Sequence, residues 1–242
     1  MEIRIFQKGF NYSQDGPGNR LVYHLQGCNL RCPWCANPEG LAMQGGTSYS
    51  VDFLVDEVKR SRLMFFDGGG VTLTGGEVCM QFAAVKEFLT RLHNEGIHTC
   101  IETNGTIPRL PELFDVLDLL IMDVKHYNPE KHQSVTGSSC QLVFENLKAA
   151  LEAEQKIALR IPMIGGFNDS QEDAAGFAKL FTELNVGNRA TLELLTYHEY
   201  GKSKYEELGM EYTMGPEARI TKESLQFMTQ TLADIGMNLI HT

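Results

Sequence analysis

Leu21-Val22-Tyr23-His24-Leu25-Gln26-Gly27-Cys28-Asn29-Leu30-Arg31-Cys32-Pro33-Trp34-Cys35 joins a mostly apolar run to three cysteines spaced Cys-x3-Cys-x2-Cys. Residues 21–26 read as a core strand, and Gly27 breaks it, so Cys28 opens a loop at the strand's carboxyl end. Sites in barrel-type α/β proteins collect at that end. Three thiols this close together are built to hold something. An all-cysteine zinc site, a two-iron cluster and a four-iron cluster bound by protein alone each take four ligands. Three cysteines either need a distant fourth ligand, such as His24 four residues before Cys28, or leave one iron of a cubane cluster free for a small molecule. Zinc sites of this size usually bring their ligands in two pairs on separate turns, which weighs against the set with His24. Metal-free exposed thiols packed together would invite oxidation.

Outward from this stretch, apolar strands alternate with amphipathic helices. Residues 3–6 read as a short edge strand and 11–20 as a polar, glycine-rich turn. After the cysteines, 40–49 is linker-like, and Ser50 caps a helix running to about residue 64. A strand at 71–74 and a helix at 79–94 form the next unit. Strands at 97–102, 119–124, 157–161 and 191–195 then alternate with helices near 109–117, 141–154, 171–185 and 221–236. Ser170-x-x-Asp173 has the form of a capping box at the start of the third of these helices. Counted from Leu21, six strands with right-handed helical crossovers predict a parallel sheet. Six units are two short of a closed barrel, so the expected fold is an open, partial (β/α)6 TIM-like barrel, in one domain spanning 1–242.

The chain is 43% hydrophobic and 21% charged, enough to bury a large core. Its net charge of −10 argues against nucleic acid, which calls for basic surface. The start, Met1-Glu2-Ile3-Arg4-Ile5-Phe6, has no signal-peptide pattern, and no apolar run nears the ~20 residues of a membrane span, so a cytoplasmic protein without membrane contact is expected. Cys79, Cys100 and Cys140 are scattered and read as reduced core residues.

The strand ends carry polar groups one after another: Thr74-Gly75-Gly76-Glu77, Glu102-Thr103-Asn104-Gly105, Asp123-Val124-Lys125, Arg160, and Tyr197-His198-Glu199. Taken singly, each has a plainer reading: a tight turn with a carboxylate favoured by the helix dipole, an Asn-Gly turn, a structural ion-pair network. Taken together they describe the rim of a cleft.

The triad, with aromatic Trp34 before its third cysteine, resembles the signature of the radical S-adenosylmethionine enzymes, and Gly75-Gly76-Glu77 resembles their second motif. Over nearly its full length the chain is similar to the glycyl-radical-enzyme activating enzymes, above all those of pyruvate formate-lyase. The shared blocks are Asp15-Gly-Pro-Gly, Gln26-Gly-Cys, Gly68-Gly-Gly-Val-Thr, Gly96-Ile-His-Thr-Cys-Ile-Glu-Thr-Asn-Gly105, Asp123-Val-Lys125 and Leu194-Leu-Thr-Tyr-His-Glu-Tyr-Gly-Lys202.

The resemblance implies that Cys28, Cys32 and Cys35 bind a [4Fe-4S] cluster whose open iron takes S-adenosylmethionine. Trp34 and Asn37 would border the cofactor, Gly75, Gly76 and Glu77 would hold its amino group, and Lys125, Arg160 and His198 its carboxylate and ribose side. Glu102, Thr103 and Asp123 would seat a monovalent cation, although Glu102 stands where relatives carry Asp, and Ala36 replaces a common His. Asp15 would lie in a loop that meets the partner peptide. The implied activity is reductive cleavage of the cofactor to a 5′-deoxyadenosyl radical, which removes hydrogen from a glycine of a partner glycyl radical enzyme. Residues 36–70 hold one helix and no cysteine, leaving no room for a ferredoxin-like insert with further clusters, so the electron should come from a flavodoxin or ferredoxin. A monomer is expected. Two other functions fit the triad: a radical enzyme acting on another peptide or a small molecule, and a zinc- or cluster-binding interaction protein without catalysis.

Overall fold

The computed structural model describes residues 1–241. The chain begins with an antiparallel hairpin, β1 (Glu2–Tyr12) and β2 (Asn19–Leu25), followed by β3 (Thr47–Ser50) and α1 (Val51–Arg60). Next come β4 (Gly70–Gly75), α2 (Phe82–Asn94), β5 (Thr99–Thr103), β6 (Leu119–Asp123), α3 (Pro129–Thr136) and α4 (Gln141–Glu152). The last part holds β7 (Ile157–Met163), α5 (Gln171–Glu183), β8 (Ala190–Thr196), α6 (Lys202–Glu207), α7 (Lys222–Asp234) and β9 (Asn238–Ile240). Among the described residues these strands form one nine-stranded sheet in the order β3-β1-β2-β4-β5-β6-β7-β8-β9. The six expected strands, β2 and β4 to β8, pair in parallel, and the sheet ends at β3 and β9 without closing.

Strand residues alternate between two faces with a period of two. On the helix-facing side Leu73, Ile101, Leu120, Leu159 and Leu192 join Leu54, Phe88, Leu147 and Phe177 of the helices in the main core. Each such side chain contributes roughly 1.5–3 kcal/mol when removed from water. On the opposite face Cys100, Leu119 and Ile121 form a small apolar cluster with Ala158. Arg20, Thr72, Thr74, Glu102, Arg160 and Glu193 share that face by the same alternation. Apolar residues on one side and polar ones on the other place any chemistry on the face without helices.

Local signals set the helix ends. The Ser50 hydroxyl accepts from Phe53 N at 3.1 Å to start α1, and Ser170 with Asp173 forms the expected capping box of α5. The remaining differences from the sequence reading have physical causes. β1 runs eleven residues, not four, because pairing with β2 carries it past its exposed outer half, and β3 rather than β1 is the sheet edge. The stretch taken for a linker holds β3, which exists only through its pairing with β1. Leu110–Val116 is a 3-10 helix with Pro near its start. The helix from Ser50 stops at Arg60 and passes into a short 3-10 turn, Arg62–Met64. Beyond the expected elements the chain forms α3, α6 and β9, the last adding a further parallel strand beside β8.

Candidate active site

β2 ends at Leu25, and the loop that follows is tied to its neighbours by main-chain bonds. Gly27 N donates to Gly40 O at 2.9 Å, Glu77 N donates to Gly27 O at 2.8 Å, and Arg31 N donates to Thr136 O at the end of α3 at 2.8 Å. A Cβ on Gly76 would overlap the Gly27 carbonyl and crowd that of Gly40, so three main chains touch where no side chain fits. The cysteine loop and the Gly75-Gly76 turn are thereby one assembly.

Between them at the carboxyl ends of the strands lies a cavity of about 230 Å3. Cys28, Cys32 and Cys35 line it, with Trp34 and Asn37 from the same loop and Gly75 and Gly76 opposite. Glu102, Thr103, Asp123, Lys125 and His198 complete the expected residues in its wall. Trp34 rests on Phe167, ring centroids 5.0 Å apart. Lys204 of α6 holds the far end of the loop, 3.1 Å from Asn37 Oδ1 and 3.0 Å from Glu39 Oε1, and Gly201 packs against the Cys35 carbonyl.

Three expected site residues stand outside that lining. Glu77 is fully buried, and its carboxylate accepts from Cys79 N at 3.0 Å, from Thr103 Oγ1 at 2.8 and 2.9 Å, and from Asn104 N at 2.8 Å. Burial raises its pKa, with these bonds opposing. Arg160 lies on the face without helices, donating to Glu102 Oε1 at 2.5 Å, Glu193 Oε2 at 3.2 Å and Gln14 O at 2.5 Å. Asp15, in the β1–β2 turn, accepts from Asn11 through its carboxylate and from Thr72 Oγ1 at 2.7 Å through its carbonyl, beside the middle of β4.

Burial pushes the Cys28 thiol up to about 11 and Cys32 to about 12, and raises Cys35 as well. Without metal the three are neutral thiols. Leu30 N and Asn37 N each point at a sulfur, of Cys28 and Cys35 respectively, at 3.4 Å. Lys125, nearly buried, is ion-paired with Asp123. Burial acts against its charge, but the Asp123 carboxylate outweighs it and raises its pKa. A fixed cation thus faces the thiols across the cavity.

Three thiols lining one cavity are a donor set that a cubane cluster can use, each thiolate binding a different iron. His24 lies outside the cavity lining, its ring against Phe6 at 5.6 Å. The proposed cation ligands are committed elsewhere. Glu102 accepts from Thr74 Oγ1 at 2.6 Å and pairs with Arg160, Thr103 donates to Glu77, and Asp123 pairs with Lys125.

Residues 22–178 match the radical SAM superfamily. The chain belongs to that superfamily. It is 35% identical over 227 residues to pyruvate formate-lyase 1-activating enzyme of Escherichia coli (strain K12), covering 92% of each chain. It is 33% identical over 224 residues to pyruvate formate-lyase-activating enzyme of Clostridium pasteurianum, covering 91% of this chain and 93% of that one. These matches place it among the glycyl-radical-enzyme activating enzymes of the radical SAM superfamily. A domain of pyruvate-formate lyase-activating enzyme from Bacteroides vulgatus ATCC 8482 shares the fold with a TM-score of 0.57 and 24% identity, over 72% of this chain and 98% of that one. A radical SAM methyltransferase from Sphaerobacter thermophilus does so with a TM-score of 0.66 and 17% identity, over 99% of this chain and 76% of that one. Membership implies a [4Fe-4S] cluster and S-adenosylmethionine.

The cavity wall also holds Pro162 and Leu195, which sequence reasoning does not place there, and Thr74 and Asn104, which it places at the rim without a role. Thr74 and Leu195 alternate with helix-facing neighbours on their strands, a signal that was available. α3, whose Thr136 carbonyl supports the cysteine loop, carries the Asn128-Pro129 start signal and ends at Gly137.

Proposed function

We propose that the chain works as one unit that cleaves S-adenosylmethionine reductively and uses the resulting radical to remove hydrogen from a glycine of a partner enzyme of the pyruvate formate-lyase type. The observation that carries this reading is that all three cysteines and the Gly75-Gly76 turn line one cavity. Bound by Cys28, Cys32 and Cys35, the cluster would supply the electron that cleaves the cofactor.

The chain's own residues bind, orient and exclude water. Gly75 and Gly76 leave main-chain groups open to the methionine amino end, and Glu77 holds that turn in place from behind. Lys125 sets a positive charge for the methionine carboxylate, while Trp34, Asn37 and His198 border the ribose and adenine side. Arg160 acts through Glu102 and the 13–18 turn, which puts Asp15 in reach of the docking peptide. A monovalent cation belongs to the same reading: Glu102, Thr103 and Asp123 all stand in the cavity wall, and the cation would compete with the Glu102–Arg160 and Asp123–Lys125 pairs. The electron would come from a flavodoxin or ferredoxin, the chain would act as a monomer, and its place is the cytoplasm. No helix among the described residues is long and apolar enough to cross a membrane.

The test is anaerobic reconstitution with iron and sulfide, then addition of S-adenosylmethionine and dithionite. The expected result is 5′-deoxyadenosine, abolished by alanine at Cys28, Cys32 or Cys35 and kept by alanine at Cys79, Cys100 or Cys140. Mixing with a partner should give the doublet paramagnetic signal of a glycyl radical. Zinc retention without iron uptake would overturn the reading.

A further inference from the structure

One side chain in the cavity wall is held far more firmly than a turn requires. The Asn104 amide oxygen accepts from Thr106 N at 3.0 Å and from Thr106 Oγ1 at 2.6 Å. Its nitrogen donates to Asn29 Oδ1 at 3.0 Å and reaches the Cys28 sulfur at 3.9 Å. Asn29 in turn donates to Thr106 Oγ1 at 2.7 Å, closing a ring of three side chains. The ring fixes the amide's orientation. A flipped Asn104 would set its NH2 against the Thr106 N–H and lose the acceptor that both Thr106 donors use. The main-chain N–H of Asn104 is committed as well, to Glu77 Oε2 at 2.8 Å.

A turn accounts for the bonds to Thr106 but not for the nitrogen's direction. That nitrogen faces the first cysteine of the triad, next to which Asn29 itself lies. The contact is 3.9 Å long, and charge on an acceptor strengthens and shortens such contacts. Hydrogen bonds to cluster sulfurs are among the levers that set cluster potentials, because a donor favours the state with more negative charge, which is the reduced one.

We propose that Asn104 is a positioning residue, clamped by Thr106 and Asn29, whose N–H to Cys28 raises the reduction potential of the cluster that Cys28 helps to hold. The inference rests on the cluster assignment above and needs neither the partner nor cofactor cleavage.

The test is a potentiometric titration of the anaerobically reconstituted full chain, without S-adenosylmethionine or partner, followed by the paramagnetic signal of the reduced cluster. Asn104→Ala should make the midpoint more negative by the equivalent of about a tenfold loss in the reduction equilibrium, roughly 59 mV for one electron. Asn104→Asp, which exchanges the donor for a negative charge, should move it further. Thr106→Val leaves the amide present but unclamped and should shift it less, in the same direction. Wild-type midpoints in Asn104→Ala and Thr106→Val at wild-type iron content would overturn the proposal. Should Asn104→Ala fail to take up iron, Thr106→Val decides: a negative shift supports the role and an unchanged midpoint removes it. A wild-type chain that takes up no iron would sink this inference together with the cluster assignment. Shifted midpoints in a protein that makes no 5′-deoxyadenosine would leave Asn104's role standing while the proposed function fell.

Discussion

Replacing Glu77 by alanine separates a structural brace from a cofactor ligand. The buried carboxylate serves three donors, the main-chain N–H groups of Cys79 and Asn104 and the Thr103 hydroxyl. A buried donor left without an acceptor costs roughly 1–3 kcal/mol. Three neighbouring donors are not additive, and the burial that raises the Glu77 pKa offsets part of the gain from its charge. A net loss of about 3–5 kcal/mol follows, a large share of the ~5–15 kcal/mol of a typical fold. For a chain of this size that lowers the melting temperature by about 6–20 °C. Glu77→Gln keeps one acceptor oxygen but turns its NH2 toward donors, so it should fall between the wild type and alanine. The assay is thermal unfolding of the metal-free protein by circular dichroism, where no cofactor contact contributes. If the alanine variant melts within about 2 °C of the wild type, Glu77 is no brace, and its place in the glycine motif must be explained by the cofactor alone.

Burial pushes the His126 imidazole down to about 4, with Asp173 opposing. The native state then binds fewer protons than the unfolded chain below pH ~6.5, so this stability is complete above that pH and is lost as pH falls toward 4. The loss should reach on the order of 2–3 kcal/mol, and denaturant titrations of His126→Gln across that window should lack it. Gly201 has helical backbone angles (φ −77°), where alanine would ordinarily stabilise by about 0.4–1 kcal/mol. Because its Cβ would strike the Cys35 carbonyl, Gly201→Ala should instead lower iron content after reconstitution while melting near the wild type; full iron loading would refute this. Asp15→Ala should reduce glycyl radical formation on the partner several-fold more than partner-free 5′-deoxyadenosine production, and equal losses would remove the docking role of the 13–18 turn.

The parallel strands were legible because short runs with apolar residues at alternate positions recur between helical patterns and end in glycine or charge. Helix starts were legible wherever a capping side chain preceded an apolar periodicity, as at Ser50 and Ser170. β3 was not, since Thr47–Ser50 has no face of its own to bury and becomes a strand only against β1. α3 buries only His132 and Thr136, too few for a periodic pattern. At the site, strand ends identified which residues gather at the rim but not where each side chain is committed. Glu77 beside two glycines reads as a ligand, and nothing local announces that Thr103 and Asn104, twenty-six and twenty-seven residues further on, are bonded to it. Nor does the sequence around Arg160 announce that Glu102, Glu193 and the Gln14 carbonyl converge on it.

The meeting of Gly27, Gly40 and Gly76 bears on how this scaffold can be altered. Segments far apart in the chain behave there as a single machined part, with main chain bolted to main chain and no side chain to trim. Grafting a cysteine loop from another protein onto this barrel, or randomising the glycine turn alone, would therefore replace half of a joint. A redesign that changes substrate scope has a better starting point in the Leu195 and His198 side of the cavity, where variation leaves the joint untouched.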